Sequence, residues 1–130
     1  MRVGVVGGRD FSDYSKLSSV LDELQIDMVV SGGANGADDL AYRYARDRGI
    51  VFVMQPPLGN EIKDMGFARA AKRRNLRIVS MSDYLVAFPT AKSKGTWHAV
   101  QLAKKLKVPG KIIKVGSIGT ADPPSVIPFL

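Results

Sequence analysis

Short β-branched runs alternate along most of the chain with segments of helical period, the pattern of βαβ units and of a parallel sheet covered on both faces. The first run, Arg2 to Val6, ends in Gly7-Gly8, and Tyr14, Leu17, Leu21 and Leu24 then recur at helical spacing with Ser12 placed as an N-cap. Met28-Val29-Val30 forms a second short run, again followed by a glycine pair, Gly32-Gly33. Ala37, Leu40, Ala41, Tyr44 and Ala45 make the most regular amphipathic stripe in the chain, and Gly49 stands where a helix stops. A third strand is expected over Ile50 to Met54, followed by a loop marked by Pro56, Pro57 and Gly59. A basic helix is expected from Met65 to Arg77 and onward towards Val79. The apolar run Tyr84 to Phe88 reads as a central strand buried on both faces, and Pro89 stops it. Ala99, Leu102, Ala103 and Leu106 mark a last helix, ended by Pro109-Gly110, and Lys111 to Val115 a fifth strand. The expected fold is therefore α/β: a Rossmann-like, open, mostly parallel five-stranded sheet with helices on both faces, over residues 1–115. Residues 116–130 read as a tail of neither helical nor strand pattern, whose apolar end packs on the body or on a second subunit, making a homodimer one expectation.

Composition narrows the class without naming a function. At 130 residues with 45% hydrophobic and 24% charged side chains, the chain suits one globular domain. No purely apolar run is longer than Ile50–Met54, so no membrane span and no membrane partner are expected, and the N-terminal residues lack a secretory pattern. With no cysteine there is no disulfide, thiolate zinc site or cysteine nucleophile, and the expected location is cytoplasmic. Net charge is +7, the sign of a polyanion partner. Its distribution changes that picture: residues 1–65 carry 7 basic and 10 acidic side chains, residues 66–130 carry 12 basic and 2 acidic. The excess belongs to the second half alone.

In an open α/β sheet ligands bind beyond the carboxyl ends of the strands, where strand order reverses. Three loops there share one character. They are Gly7-Gly8-Arg9-Asp10, Ser31-Gly32-Gly33-Ala34-Asn35-Gly36-Ala37-Asp38, and the polar stretch ending in Ser93-Lys94-Gly95-Thr96. Each carries glycine and leads into a helix start, where unpaired N–H groups and the helix dipole attract anions. A single such loop is equally explained by the glycine that tight turns need. Three at one sheet edge point to a phosphate-bearing ligand. Known fingerprints do not fit: G-x-G-x-x-G is absent, Ser31 stands where a dinucleotide fold places a ribose-binding acid, and Lys94 precedes Gly95 instead of following it as in a P-loop. Nicotinamide and ATPase chemistry are thereby disfavoured, and no cofactor is expected. His98 is the single histidine, which excludes a histidine metal cluster, and it reads as a partly exposed residue of a helix first turn.

Val5-Val6-Gly7-Gly8-Arg9-Asp10-Phe11, the Ser31–Asp38 loop with Leu40-Ala41, Arg74-Asn75, and Phe88-Pro89 leading to Lys94-Gly95-Thr96 together resemble the YspA-like branch of the SLOG superfamily, which also holds the Lonely Guy (LOG) phosphoribohydrolases and the DNA-processing protein DprA. The resemblance spans about residues 1–115 and implies binding of nucleotides or their derivatives at these loops. By it, Gly7, Gly8, Arg9, Ser31, Gly32, Gly33, Ala34, Asn35, Gly36, Asn75, Lys94, Gly95 and Thr96 are candidate ligand or phosphate contacts, and Arg74 stands where the LOG enzymes carry a catalytic arginine. Ala99 occupies the position of their catalytic glutamate. Hydrolysis of an N-glycosidic bond would need another carboxylate, and Asp10 and Asp38 are the candidates. Asp38 has a structural reading too, since Asn35 and Asp38 have capping-box spacing and the helix dipole favours an acid there. The functional expectation is a nucleotide-binding sensor or sequestering protein, or a LOG-like N-glycoside hydrolase. The alternative is a DprA-like single-strand binder using Lys72, Arg73, Arg74 and Arg77. Trp97 could stack on a base or simply pack.

Overall fold

A computed structural model describes residues 1–114 and 125–130. Its elements are β1 (Arg2–Gly7), α1 (Tyr14–Asp22), β2 (Met28–Ser31), α2 (Ala37–Arg48), β3 (Val51–Met54), α3 (Gly59–Met65), α4 (Phe67–Met81), β4 (Tyr84–Phe88), α5 (Lys94–Lys105), β5 (Gly110–Lys114) and β6 (Ser125–Phe129). The strands form one sheet in the order β3-β2-β1-β4-β5-β6, parallel except for β6, which runs antiparallel to β5. Strand order reverses between β1 and β4, so the chain has the Rossmann-like switch point expected of its α/β pattern.

Period-two alternation divides the core between the sheet's faces. Val3 and Val5 of β1 with Val86 and Phe88 of β4 meet Leu17 and Leu21 of α1 and Ala41 and Ala45 of α2. Val6, Leu85 and Ala87 face the other way, against Ile78 and Val79 of α4 and Ala99, Val100 and Ala103 of α5. Burial of the central strands on both faces explains why they read as near-continuous apolar runs. Among the described residues no helix is long and apolar enough to cross a membrane.

Three local expectations are corrected. The N-cap of α1 is Asp13, whose carboxylate accepts from the Lys16 N–H at 3.0 Å, and not Ser12. The segment after Pro57 holds the short helix α3, separated from α4 by Gly66 at φ +84°, so the basic helix begins at Phe67 and extends to Met81. The sheet has six strands, not five: Ser125–Phe129 of the supposed patternless tail forms the edge strand, and the tail's earlier part lies outside the described residues. Pro128 hid this strand from the pattern, yet an edge is where a sheet tolerates proline. Phe129 is buried and approaches Gly110, leaving no room for a side chain there.

Two glycines of the α2 region separate conformational from steric demands. Gly49 ends α2 in the left-handed region, and a Cβ on it would meet nothing within 4 Å. Gly36 has φ +77° and ψ −127°, and a Cβ on it would run into the carbonyls of Gly8 and Arg9. Gly49→Ala should therefore cost about 1–2 kcal/mol, the usual strain of a positive φ, and Gly36→Ala clearly more. Urea denaturation of the two variants measures this, and equal losses would refute the contact between the loops.

Candidate functional site

The loops after β1, β2 and β4 converge on a cleft of about 750 Å³, within the usual range for small-molecule sites. Its walls come from Gly7, Gly8 and Arg9, from Ala34 and Asp38, and from residues 91–96 leading into α5, with His98 one turn further on. Its floor is apolar: Val6 of β1 and Ala68, Ala71 and Ile78 of α4. A second lobe of about 310 Å³ lies among Gly32, Gly33, Asn35, Pro56 and Pro57. Arg9, Ala34, Phe67 and Arg74 line both lobes, so the two adjoin at these residues.

Backbone bonds stitch the loops to each other. The Gly8 carbonyl accepts from the N–H groups of Phe11 and of Ala37, the first residue of α2, at 3.2 Å each, and the Gly8 N–H donates to Phe88 of β4 at 3.1 Å. The Ser31 hydroxyl, fully buried, donates to the Val5 carbonyl at 2.8 Å and ties β2 to β1. Ser31 and Gly36, candidates for ligand contact by sequence, line neither lobe and instead hold the loops in place.

Asp38 and Arg74 form the charged centre. Asp38 is buried, and its carboxylate accepts from the Ala34 N–H at 3.1 Å, so an acid of the protein itself occupies part of the glycine-rich loop before α2. The cap of α2 is Gly36 without a side-chain bond, so Asn35 and Asp38 do not form the capping box their spacing allows. Arg74 reaches from α4 to the Gly32 carbonyl at 3.1 Å and donates through Nε to Asn75 Oδ1 at 3.1 Å. A Cβ on Gly32 would lie 2.8 Å from the Arg74 guanidinium carbon and 2.9 Å from Asp38 Oδ2, so any larger residue here would displace both charged groups. Burial pushes the Asp38 carboxyl above the ordinary range, against the opposing pull of the Ala34 N–H and the Arg74 charge. Burial likewise lowers Arg74, with Asp38 acting in the opposite sense.

The remaining candidates separate. Asp10 lines neither lobe; it is exposed, accepts from the Thr90 hydroxyl, and that bond holds its carboxyl below the usual value. Asp38 is thus the acid that lines the cleft among the described residues. Asn75 is buried, with its polar atoms bonded to Arg74, Gly95 and His98. Trp97 turns away from the cleft, with the Lys114 ammonium 5.8 Å from its ring. The basic helix face divides: Lys72 lines the cleft, while Arg77 and Arg73 pair with buried Glu61 of α3 at 2.9 and 3.8 Å. Ala99, where the resemblance expects a glutamate, is fully buried against the sheet. Sequence reasoning missed Phe67, Lys92, His98 and the apolar floor as cleft residues. A signal for the floor was present, because Ala68, Ala71, Lys72, Asn75 and Ile78 share one helical face. No group of three histidine or acidic side chains able to hold a metal occurs among the described residues.

A mostly parallel sheet with glycine loops meeting at its switch point defines a Rossmann-like α/β architecture, and comparison with known proteins gives the family. Residues 1–58 match the model of the YspA, cpYpsA-related SLOG family. The chain is also 35% identical over 117 residues to the gene 61 protein of Mycobacterium phage D29, covering 83% of this chain and 92% of that protein. The chain belongs to this SLOG family. Two solved structures share its fold. DNA processing protein A of Helicobacter pylori, described for its single-stranded DNA binding mode, superposes with a TM-score of 0.66 at 22% identity, over 94% of this chain and 68% of that one. The Streptococcus pneumoniae DNA processing protein A superposes with a TM-score of 0.74 at 19% identity, over 91% of this chain and about half, 51%, of that one.

The Asp38 environment has a consequence for stability. A carboxyl whose native pKa is raised holds its proton more tightly in the folded than in the unfolded chain. Its contribution is therefore present below the ordinary carboxylate range and is lost as pH rises from there through the raised native value. Asp38→Asn cannot ionise, so its stability relative to the parent protein should improve between about pH 3.5 and about pH 7. Denaturation curves at the two pH values measure the difference, and a gap that moves the other way would refute the burial argument.

Proposed function

We propose that the chain binds a phosphorylated nucleotide or nucleotide-derived small molecule in the two-lobed cleft. One observation carries this reading: the Arg74 guanidinium stands between the lobes, fixed by the Gly32 carbonyl and Asn75, at the meeting of the glycine loops and the start of α5. Two of its N–H groups are bonded to the protein among the described residues, which leaves the others to fork onto a phosphate. Lys72, Lys92 and Lys94 surround the loop entering α5 and add charge there. Gly95 offers close backbone approach, since no protein atom lies within 4 Å of where its Cβ would stand. In this reading the phosphate sits near Gly95 and Thr96 with Arg74, and the lobe by Gly32, Gly33 and Asn35 takes a further part of the ligand. Asp38 already serves the loop before α2 as its internal anion, which favours the α5 side for the phosphate.

The departure from the LOG pattern at Ala99 favours a sensor or sequestering role over hydrolysis. With Ala99 buried in the core and Asp10 outside the cleft, the carboxylate an oxocarbenium-like transition state needs could come only from Asp38 among the described residues. A second reading, single-strand binding, draws on the shared fold of the Helicobacter pylori DNA processing protein A and its single-stranded DNA binding mode. The pairing of Arg73 and Arg77 with Glu61 counts against a groove along α4.

Calorimetry against nucleoside monophosphates, ADP-ribose and cyclic nucleotides tests the proposal. Arg74→Ala should weaken binding by roughly 10- to 100-fold, the worth of a hydrogen bond to a charged group, and Lys94→Ala by several-fold. No heat from any of these ligands with folded protein would overturn it. Release of free base from a monophosphate, abolished in Asp38→Asn, would convert the reading to a hydrolase. If single-stranded DNA binds instead, with affinity falling steeply with salt and dependent on Lys72 and Arg73, the second reading replaces it.

A further inference from the structure

His98, the single histidine, is half-buried at the start of α5. Its ring lines the main cleft, and its Nδ1 lies 3.2 Å from Asn75 Nδ2. Which of these two atoms donates follows from the other bonds of Asn75. Arg74 Nε–H can only donate, so the Asn75 atom 3.1 Å from it is the carbonyl oxygen Oδ1. The Gly95 carbonyl can only accept, so the Asn75 atom 3.1 Å from it is the amide nitrogen. Two independent partners thus fix the same amide orientation. The amide has two N–H groups; one serves Gly95 and the other meets His98 Nδ1, which must therefore carry a lone pair and no proton. The proton of the neutral ring is then on Nε2. Among the described residues no acceptor bonds to Nε2.

Resting on the nucleotide reading of the cleft, we infer that His98 is a ligand-recognising donor: Asn75 locks the ring in its Nε2–H tautomer, and this N–H bonds an acceptor oxygen or nitrogen of the bound nucleotide. Asn75 is the positioning residue, because the same amide holds Arg74 through Oδ1 and His98 through Nδ2. It couples the cation assigned to phosphate with the donor assigned to the rest of the ligand. Protonation of the ring would set an Nδ1–H against the Asn75 N–H, two donors facing each other. Partial burial, and secondarily the nearby charge of Lys72, also keep the imidazole neutral. The sequence alone could not show this, since Asn75 and His98 lie 23 residues apart and meet only where α4 packs on α5.

The test uses the fact that His98 is the single histidine, so its ring nitrogens need no assignment by mutation. Long-range proton–nitrogen correlation spectra of the 15N-labelled full chain, recorded at neutral pH, should show the Nε2–H tautomer, and adenosine 5′-monophosphate should shift the Nε2 resonance. By calorimetry with the same nucleotide, His98→Phe should lose about tenfold in affinity, while His98→Gln, which keeps an N–H at similar reach, should stay within about threefold. Asn75→Asp, which places a carboxylate beside Nδ1, should move the proton to Nδ1 and weaken binding. A native Nδ1–H tautomer overturns the inference even if the nucleotide binds. So does nucleotide binding that leaves the His98 resonances and the His98→Phe affinity unchanged. If neither this nucleotide nor any other on the calorimetric panel binds, the reading of the cleft fails and the proposed contact fails with it; a native Nε2–H tautomer would then leave only the Asn75 lock standing.

Discussion

The carbonyl of Gly8 is the point on which the site depends. It accepts from Phe11 and Ala37, and these two bonds make a single body of the loop after β1 and the loop that starts α2. Gly36 presses against the same carbonyl and that of Arg9, so the approach is closer than any side chain would permit. These bonds and this contact fix the two loops against each other through backbone alone. The cleft walls formed by these two loops are thus set by the chain's own backbone, and the remaining lining comes from the side chains of α4 and from the start of α5.

Charge in the cleft follows a second constraint. A buried carboxylate is costly unless hydrogen-bonded, and a buried guanidinium is costly unless partnered. Asp38 takes the Ala34 N–H and Arg74 takes the Gly32 carbonyl, so both are anchored to the same glycine loop. Each lowers the other's burial cost through space. Pairing on α4 obeys the same logic elsewhere: Glu61, itself buried, is balanced by Arg77 and Arg73, which withdraws those cations from the cleft and leaves Lys72 there. Of the cations in the second half, Lys72, Arg74, Lys92 and Lys94 line the cleft, while Arg73 and Arg77 are taken up by Glu61.

Most of the fold was legible in the chain because burial on two faces leaves a strong mark on short strands. Tyr84–Phe88 and the Ala37–Ala45 stripe needed no tertiary information. The edge strand Ser125–Phe129 was not legible, since half of an edge strand's surroundings are solvent and Pro128 mimics a loop signal. The candidate site was legible at its glycines and at Arg74, where backbone geometry and charge restrict the residue type. Ser31 and Gly36 show the limit of that reading: they carry the right composition for a phosphate loop, yet one bonds Val5 and the other packs on Gly8.

The sequence by itself determined the α/β alternation, the switch point with its three glycine loops, and the concentration of cations in the second half. These are local properties, set by periodicity, turn chemistry and counting. Only the tertiary structure decided which polar atoms face the cleft and which are consumed inside the protein. It turned Asp10 outward and Asp38 inward, buried Ala99, sent Trp97 to Lys114, and joined Arg74, Asn75 and His98 in one chain of hydrogen bonds. The reason is that a hydrogen-bonding group is defined by its partners, and those partners lie on elements brought together by packing of distant segments.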